Sequence, residues 1–142
     1  MTQQFIIPFR LPGYNRVNDA NRTNAYVGAK LKRDVEAGVC MIITAAHLKP
    51  VKQQCIVHIV FTEPNRRRDV DNVESAKKFI LDALVHSGVL ENDNPKHVLA
   101  CPAYTVYGDG AGVRVTIIDS PDEGYLRGKL RAAMDSIAEE DG

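Results

Sequence analysis

The chain has 142 residues, 44% of them hydrophobic and 25% charged, and its 18 Lys and Arg are balanced by 18 Asp and Glu. That length and balance fit one soluble domain with a real core, and no apolar run approaches the roughly 20 residues of a membrane span. The zero net charge hides an asymmetry: residues 1–78 hold 13 Lys and Arg against 7 Asp and Glu, and residues 79–142 hold 5 against 11. Such a division suggests one basic working face and an acidic remainder.

The N-terminus alternates polar and apolar residues and lacks the charged start and long apolar run of a signal peptide. Cys40, Cys55 and Cys101 are odd in number and widely spaced, each in an apolar surround. They are expected to be buried free thiols in a reducing cytoplasm, not a zinc or disulfide framework.

Gln4 to Phe9 reads as a first strand, placed at an edge by Pro8. Leu11 to Arg16 ends it. A loop rich in Asn15, Asn18 and Asn21 follows, with Asn24 as the N-cap of the next element. Ala25 to Leu48 shows apolar residues every three to four positions and is expected to be a long helix. Gly38 is a possible break in it, and Lys49-Pro50 is the stop. Lys30, Lys32 and Arg33 fit a solvated face better than a DNA-facing patch. Gln53 to Thr62 is apolar on both faces, the pattern of a central strand, and His58 within it reads as a satisfied histidine.

The informative stretch is Asn65 to Asp93. Arg66, Arg67 and Arg68 are adjacent like charges, hard to pair locally and suited to a phosphodiester backbone. Asp69 and Asp71 follow at i and i+2. If extended, they aim both carboxylates to one side, roughly 7 Å apart at the backbone, with Val70 turned into protein. Asp71 also reads as an N-cap, with Glu74 completing a capping-box variant for a helix over Asn72 to Ser87, and Gly88 is its C′ residue. Two carboxylates beside a helix start suit Mg²⁺, which takes oxygen ligands and keeps several waters until a phosphate arrives. Acids at helix starts are also common structural caps, and the three arginines are what favour the metal-site reading.

His97 to Tyr107 and Val113 to Ile118 are expected as two strands of a hairpin joined by the glycine-rich turn 108–112, with Pro102 marking a bulge or an edge. A last acidic helix is expected over 120–139. The whole is read as a single α+β domain: a small mixed sheet of about four strands packed with two or three helices.

The run Arg67-Arg68-Asp69-Val70-Asp71-Asn72, followed by Asp82-Ala83-Leu84, Gly88 and Asp93, resembles the RusA family of Holliday junction resolvases, small phage and prophage endodeoxyribonucleases. The resemblance covers roughly residues 4–118. It implies a metal-dependent, dimeric nuclease on four-way DNA junctions in the cytoplasm, using Mg²⁺ or Mn²⁺ held by Asp69, Asp71 and Asp93. The family's catalytic lysine falls four residues after the second aspartate, and Ser75 stands there in this chain. Between Asp71 and Asp82 the chain is about three residues longer, close to one helical turn, so Lys78 takes the lysine's place with Lys77 second. The candidate DNA contacts are Arg66, Arg67, Arg68, Asn72 and Lys77, with Asn15 and Arg16 from a Pro-x-x-Asn-Arg-like turn.

Reach makes Asp93 difficult. A helix over Asn72 to Ser87 is about 24 Å long, whereas Gly88 to Asp93 retraces at most about 18 Å. A site shared between two chains of a homodimer answers that expectation. A catalytically silent junction-binding or structural phage protein, and an enzyme acting on small phosphorylated substrates, are the rival classes. The absence of a glycine-rich phosphate loop weighs against the latter.

Overall fold

A computed structural model of the chain describes residues 2–119, together with positions 128, 131, 132 and 135–137. The helix expected over 120–139 therefore lies almost wholly outside the described residues. No helix among the described residues is long and apolar enough to cross a membrane.

Nine elements follow one another: β1 (Thr2–Ile7), α1 (Tyr14–Thr23), α2 (Ala25–Ala45), β2 (Cys55–Glu63), α3 (Val70–Glu74), α4 (Lys77–His86), β3 (Val98–Ala100), β4 (Ala103–Tyr107) and β5 (Gly112–Asp119). They build a mixed α+β fold around β2. That strand pairs antiparallel with β5 along one side and parallel with β3 and then β4 along the other, while β1 pairs antiparallel with β5 at the edge. β2 is buried along most of its length because it has neighbours on both sides. β5 instead alternates, with Val113, Val115 and Ile117 inward and Arg114 outward, the period-2 pattern of a strand with one covered face.

The core lies between the sheet and the helices. Phe5, Ile7, Val57, Ile59, Val115 and Ile117 from the strands meet Val39 and Ile43 of α2, Val73 of α3 and Ile80 and Leu84 of α4. Full burial of such aliphatic side chains contributes about 1.5–3 kcal/mol each. α4 ends where Gly88 adopts φ 81° and the amides of Val89 and Leu90 both return to the Leu84 carbonyl at 3.0 Å. Only glycine reaches that backbone region without strain, so Gly88 acts as the C′ residue as expected.

Several sequence expectations are corrected. The asparagine-rich loop after β1 is the helix α1. It buries none of its own residues and packs closely on α2, where a Cβ at Gly28 would fall 3.2 Å from the Asn21 Cα, a tight approach that glycine relieves. Asn24 then breaks the two helices apart with an extended backbone and caps α2, its Oδ1 accepting from the Val27 amide at 2.8 Å. α2 runs unbroken through Gly38 and stops at Ala45. The strands β4 and β5 do not form a hairpin. They flank β2 on opposite sides, so residues 108–111 cross over the end of β2, where the Gly108 amide bonds the Glu63 carbonyl at 3.1 Å. Pro102 does interrupt the edge, dividing it into β3 and β4.

At the end of β2, Glu63 is buried at 3% exposure. Its Oε1 accepts from Arg10 Nη2 at 2.8 Å and from Arg68 Nε at 2.9 Å. Burial pushes this carboxyl up, but the hydrogen bonds and charges of Arg68 and Arg10 outweigh it and hold the pKa below the ordinary value. The stability that follows is therefore complete at neutral pH and is lost as pH falls from the unfolded value through the lower folded one. Glu63→Ala strands two arginines and is expected to lower the unfolding free energy by about 3 kcal/mol at pH 7, read by urea denaturation. Glu63→Gln is expected to remove the part of the acid-induced loss that titrates below the ordinary carboxyl range.

Candidate active site

The chain leaves β2, passes the three arginines and enters α3. The arginines have three different fates. Arg68 is committed inward: besides Glu63, its Nη1 donates to the Leu11 carbonyl at 3.1 Å, and its side chain is 19% exposed. Arg66 lies over the Tyr107 ring, 4.1 Å from guanidinium carbon to centroid, a cation–π contact that steadies an exposed charge. Arg67 is exposed, its amide bonded to Asn65 Oδ1 at 3.0 Å. The basic run thus presents Arg66 and Arg67, and Arg68 is structural.

The acids sit at the start of α3, which begins two residues earlier than expected. Asp69 has the extended backbone of an N-cap, φ −65° and ψ 148°, without a side-chain cap bond, and Asp71 lies in the first turn. The Asp69-Val70-Asp71 segment is therefore not a strand, and Val70 is 50% exposed instead of buried. Glu74 does not close a capping box, because its Oε2 accepts from Thr105 Oγ1 at 2.8 Å. Asp69 is exposed and makes no side-chain hydrogen bond or ion pair among the described residues. Asp71 accepts the Asn72 amide at 2.9 Å on one oxygen and the Tyr14 phenol at 3.4 Å on the other. The Asp71 charge is the main reason the Tyr14 pKa is raised.

Tyr14 reaches Asp71 because the start of α1 is docked on α3. Gly13 has no side chain to cap α1, and the cap comes from a distant segment: the Tyr14 amide donates to Ser75 Oγ at 3.0 Å and the Asn15 amide to Asn72 Oδ1 at 3.1 Å. Ser75 Oγ in turn donates to the Asn72 carbonyl at 2.6 Å. A Cβ at Gly13 would lie 2.5 Å from that same carbonyl oxygen. Asn72, 5% exposed, is thus a structural cap, which takes it out of the candidate DNA contacts. Asn15 and Arg16 remain exposed.

The continuous helix expected over 72–87 is two helices, α3 and α4. Between them the bonds tighten from i+4 to i+3, with Ala76 to Val73, Lys78 to Ser75 and Phe79 to Ala76 at 3.2, 3.4 and 3.0 Å. α4 opens with Lys77 and Lys78. Lys78 Nζ stands 3.0 Å from Asp82 Oδ1 and 3.1 Å from Asp93 Oδ2, and Asp82 first and Asp93 second raise its pKa. Lys77 is exposed, and its charge acts on Cys101. Of the two lysines, Lys78 is the one that joins an acid of the expected set.

Asp93 therefore comes back to the start of α4 within one chain. α4 has ten residues, about 15 Å of helix, so the length argument for a partner chain no longer holds. Asp69, Asp71 and Asp93 nevertheless do not form a ready metal cage, since no three His, Cys, Asp or Glu groups among the described residues gather closely enough to hold an ion. What the site offers is two exposed carboxylates at the head of α3, hard oxygen donors of the kind that suit a hydrated Mg²⁺ completed by substrate phosphate.

The remaining candidates are structural. Cys55 donates to the His97 carbonyl at 3.4 Å, and burial pushes its thiol up to about 11. All three cysteines are free thiols. His58 packs against the Tyr104 ring with centroids 5.2 Å apart. Tyr14, Arg10 and Glu63 are the residues of this region that the sequence did not single out; their partners lie mostly more than fifty residues away.

A family profile described as endodeoxyribonuclease RusA matches residues 10–118. The chain belongs to the RusA family. The match starts at Arg10 and closes within β5, so it takes in both arginine partners of Glu63, both acids of α3, Lys78 and Asp93. The profile's description names an endodeoxyribonuclease. No curated protein matches the sequence.

Because the α1 cap is supplied by α3, Gly13→Ala is expected to separate the two helices. The overpacking costs about 1–3 kcal/mol, read by thermal melting. Ser75→Ala, which removes only hydrogen bonds, is expected to cost about 1 kcal/mol.

Proposed function

We propose that this RusA-family chain is a divalent-metal-dependent endonuclease that cuts four-way DNA junctions in the cytoplasm. The observation that carries this reading is the pairing, within the matched region, of two exposed carboxylates, Asp69 and Asp71, with the exposed Arg66 and Arg67 that precede them in the same loop. Asp69 and Asp71 would hold the divalent ion, whose chemistry would be charge stabilisation at the scissile phosphate and activation of a water. The chain's own residues do the rest. Arg66 and Arg67 grip the backbone through charge-assisted, sequence-independent contacts, with Asn15 and Arg16 extending that surface. Tyr14 holds one oxygen of Asp71. Lys78 keeps an ammonium beside Asp93, placed to offset negative charge developing on the phosphate.

A junction presents two symmetric strands, which calls for two sites and hence a homodimer. A site completed across that dimer remains part of this reading. Mixing Asp69→Asn with Asp93→Asn chains is expected to restore cleavage above either parent alone, and no recovery would confine each site to its own chain.

Incubating a synthetic four-way junction, a linear duplex and a flap with and without Mg²⁺ tests the activity itself. Cleavage of the junction is expected only with metal, falling about a hundredfold or more in Asp71→Asn. Salt-sensitive junction binding with no cleavage in Mg²⁺ or Mn²⁺ would instead identify a silent binding protein. Arg67→Ala is expected to weaken binding to all DNAs alike and to reduce the slope of log affinity against log salt by about 1.

A further inference from the structure

The cleft enclosed by α1, α2 and α4 is not used by the reading above. It has a volume of about 380 Å³, within the roughly 300–1,000 Å³ of pockets that take small molecules. We propose that it receives a single unpaired nucleobase of the branched DNA. This inference rests on the nuclease reading and adds to it a site for the nucleotide beside the cut.

Three observations point to a base. The first is the wall: Pro12, Tyr14, Val17 and Phe79 line the cleft, offering two aromatic rings and two aliphatic surfaces to a flat, weakly polar group. Stacking on aromatic side chains is how proteins hold bases of any sequence, because each base has a π-face. The second is the polar rim. Glu36 is held by His86 Nδ1 and Asp82 by Lys78, which leaves Lys32, exposed and without an ion pair among the described residues, as the free cation at the edge. A cation beside an aromatic wall suits a nucleotide, whose base stacks while its phosphate stays outside. The third is position. Tyr14 both lines the cleft and donates to Asp71, and Lys78 both lines it and holds Asp93. The occupant is one side chain away from each acid.

A base inside an intact duplex cannot enter, since its faces are covered by its neighbours and its edge by its partner. Extrusion is unfavourable in a duplex and least so where pairing is already broken. The cleft therefore favours DNA at a branch point, where a base leaves its stack most readily, over a continuous helix.

The test fills the cleft from the protein side and removes the base from the DNA side. Binding without divalent ion is measured by fluorescence anisotropy for wild type, Val17→Trp and Phe79→Leu. The DNAs are an intact synthetic four-way junction and four versions, each with one abasic position next to the branch point on a different strand. Wild type is expected to lose about tenfold in affinity on at least one abasic junction. Val17→Trp is expected to lose about tenfold on the intact junction and nothing further on that abasic one, with Phe79→Leu between the two. Melting curves confirm that each variant is folded, and an unfolded Val17→Trp leaves the decision to Phe79→Leu. Losses that multiply across protein and DNA changes would overturn the proposal, as would variants that bind the intact junction like wild type. A Val17→Trp chain whose sedimentation changes while its DNA affinity does not would overturn it too, by assigning the cleft to a second copy of the chain. If wild type prefers no branched DNA, this inference and the proposed function fall together. If it cuts junctions and the variants bind them equally well, this inference falls alone.

Discussion

The arrangement of the site depends on one buried carboxylate. Glu63 sits at the end of the central strand with arginines from two different loops on it, Arg10 after β1 and Arg68 before α3. Burying a charge at 3% exposure is unfavourable unless it is paired and hydrogen-bonded, and here two guanidiniums satisfy it. The result is geometric: the loop that leads into α1 and the loop that leads into α3 are pinned to the same point. Arg68 strengthens the joint by also donating to the Leu11 carbonyl. The two helices consequently start side by side, and the acids lie where they meet.

The second joint is the cap that α3 supplies to α1. The Ser75 hydroxyl serves the backbone, joining the Tyr14 amide to the Asn72 carbonyl. Lys78 lies one tightened turn further on, where it meets Asp93 returning from the far end of α4. The ammonium thus belongs to α4, while Ser75 at the end of α3 is structural.

Local signals were legible in the sequence. The Asn24 cap, the central character of β2, the Gly88 terminus and the break at Pro102 each depend on a residue's own backbone preference or on a short periodicity. The candidates Asp69 and Asp71 stood out by type and spacing, and Lys78 and Asp93 by the family resemblance. What could not be read there depends on contacts across the fold. Asparagine-rich α1 has weak helix propensity, and its capping groups lie 57 and 61 residues away in the chain. A glycine-rich link between two strands reads as a hairpin, because nothing local tells that β2 lies between them. Three adjacent arginines look alike until Glu63 selects Arg68 and Tyr107 takes Arg66.

The margins of the sheet carry a consequence for how two such molecules can associate. On one side the outer row is cut at Cys101-Pro102 into pieces of three and five residues. On the other, β1 runs into Pro8, and the side chain of Gln3 exchanges hydrogen bonds with the Lys49 backbone at 2.9 and 2.7 Å. Interrupted or occupied rims of this kind discourage strand-to-strand addition. Neither margin therefore offers a second chain a long, unbroken ladder to extend.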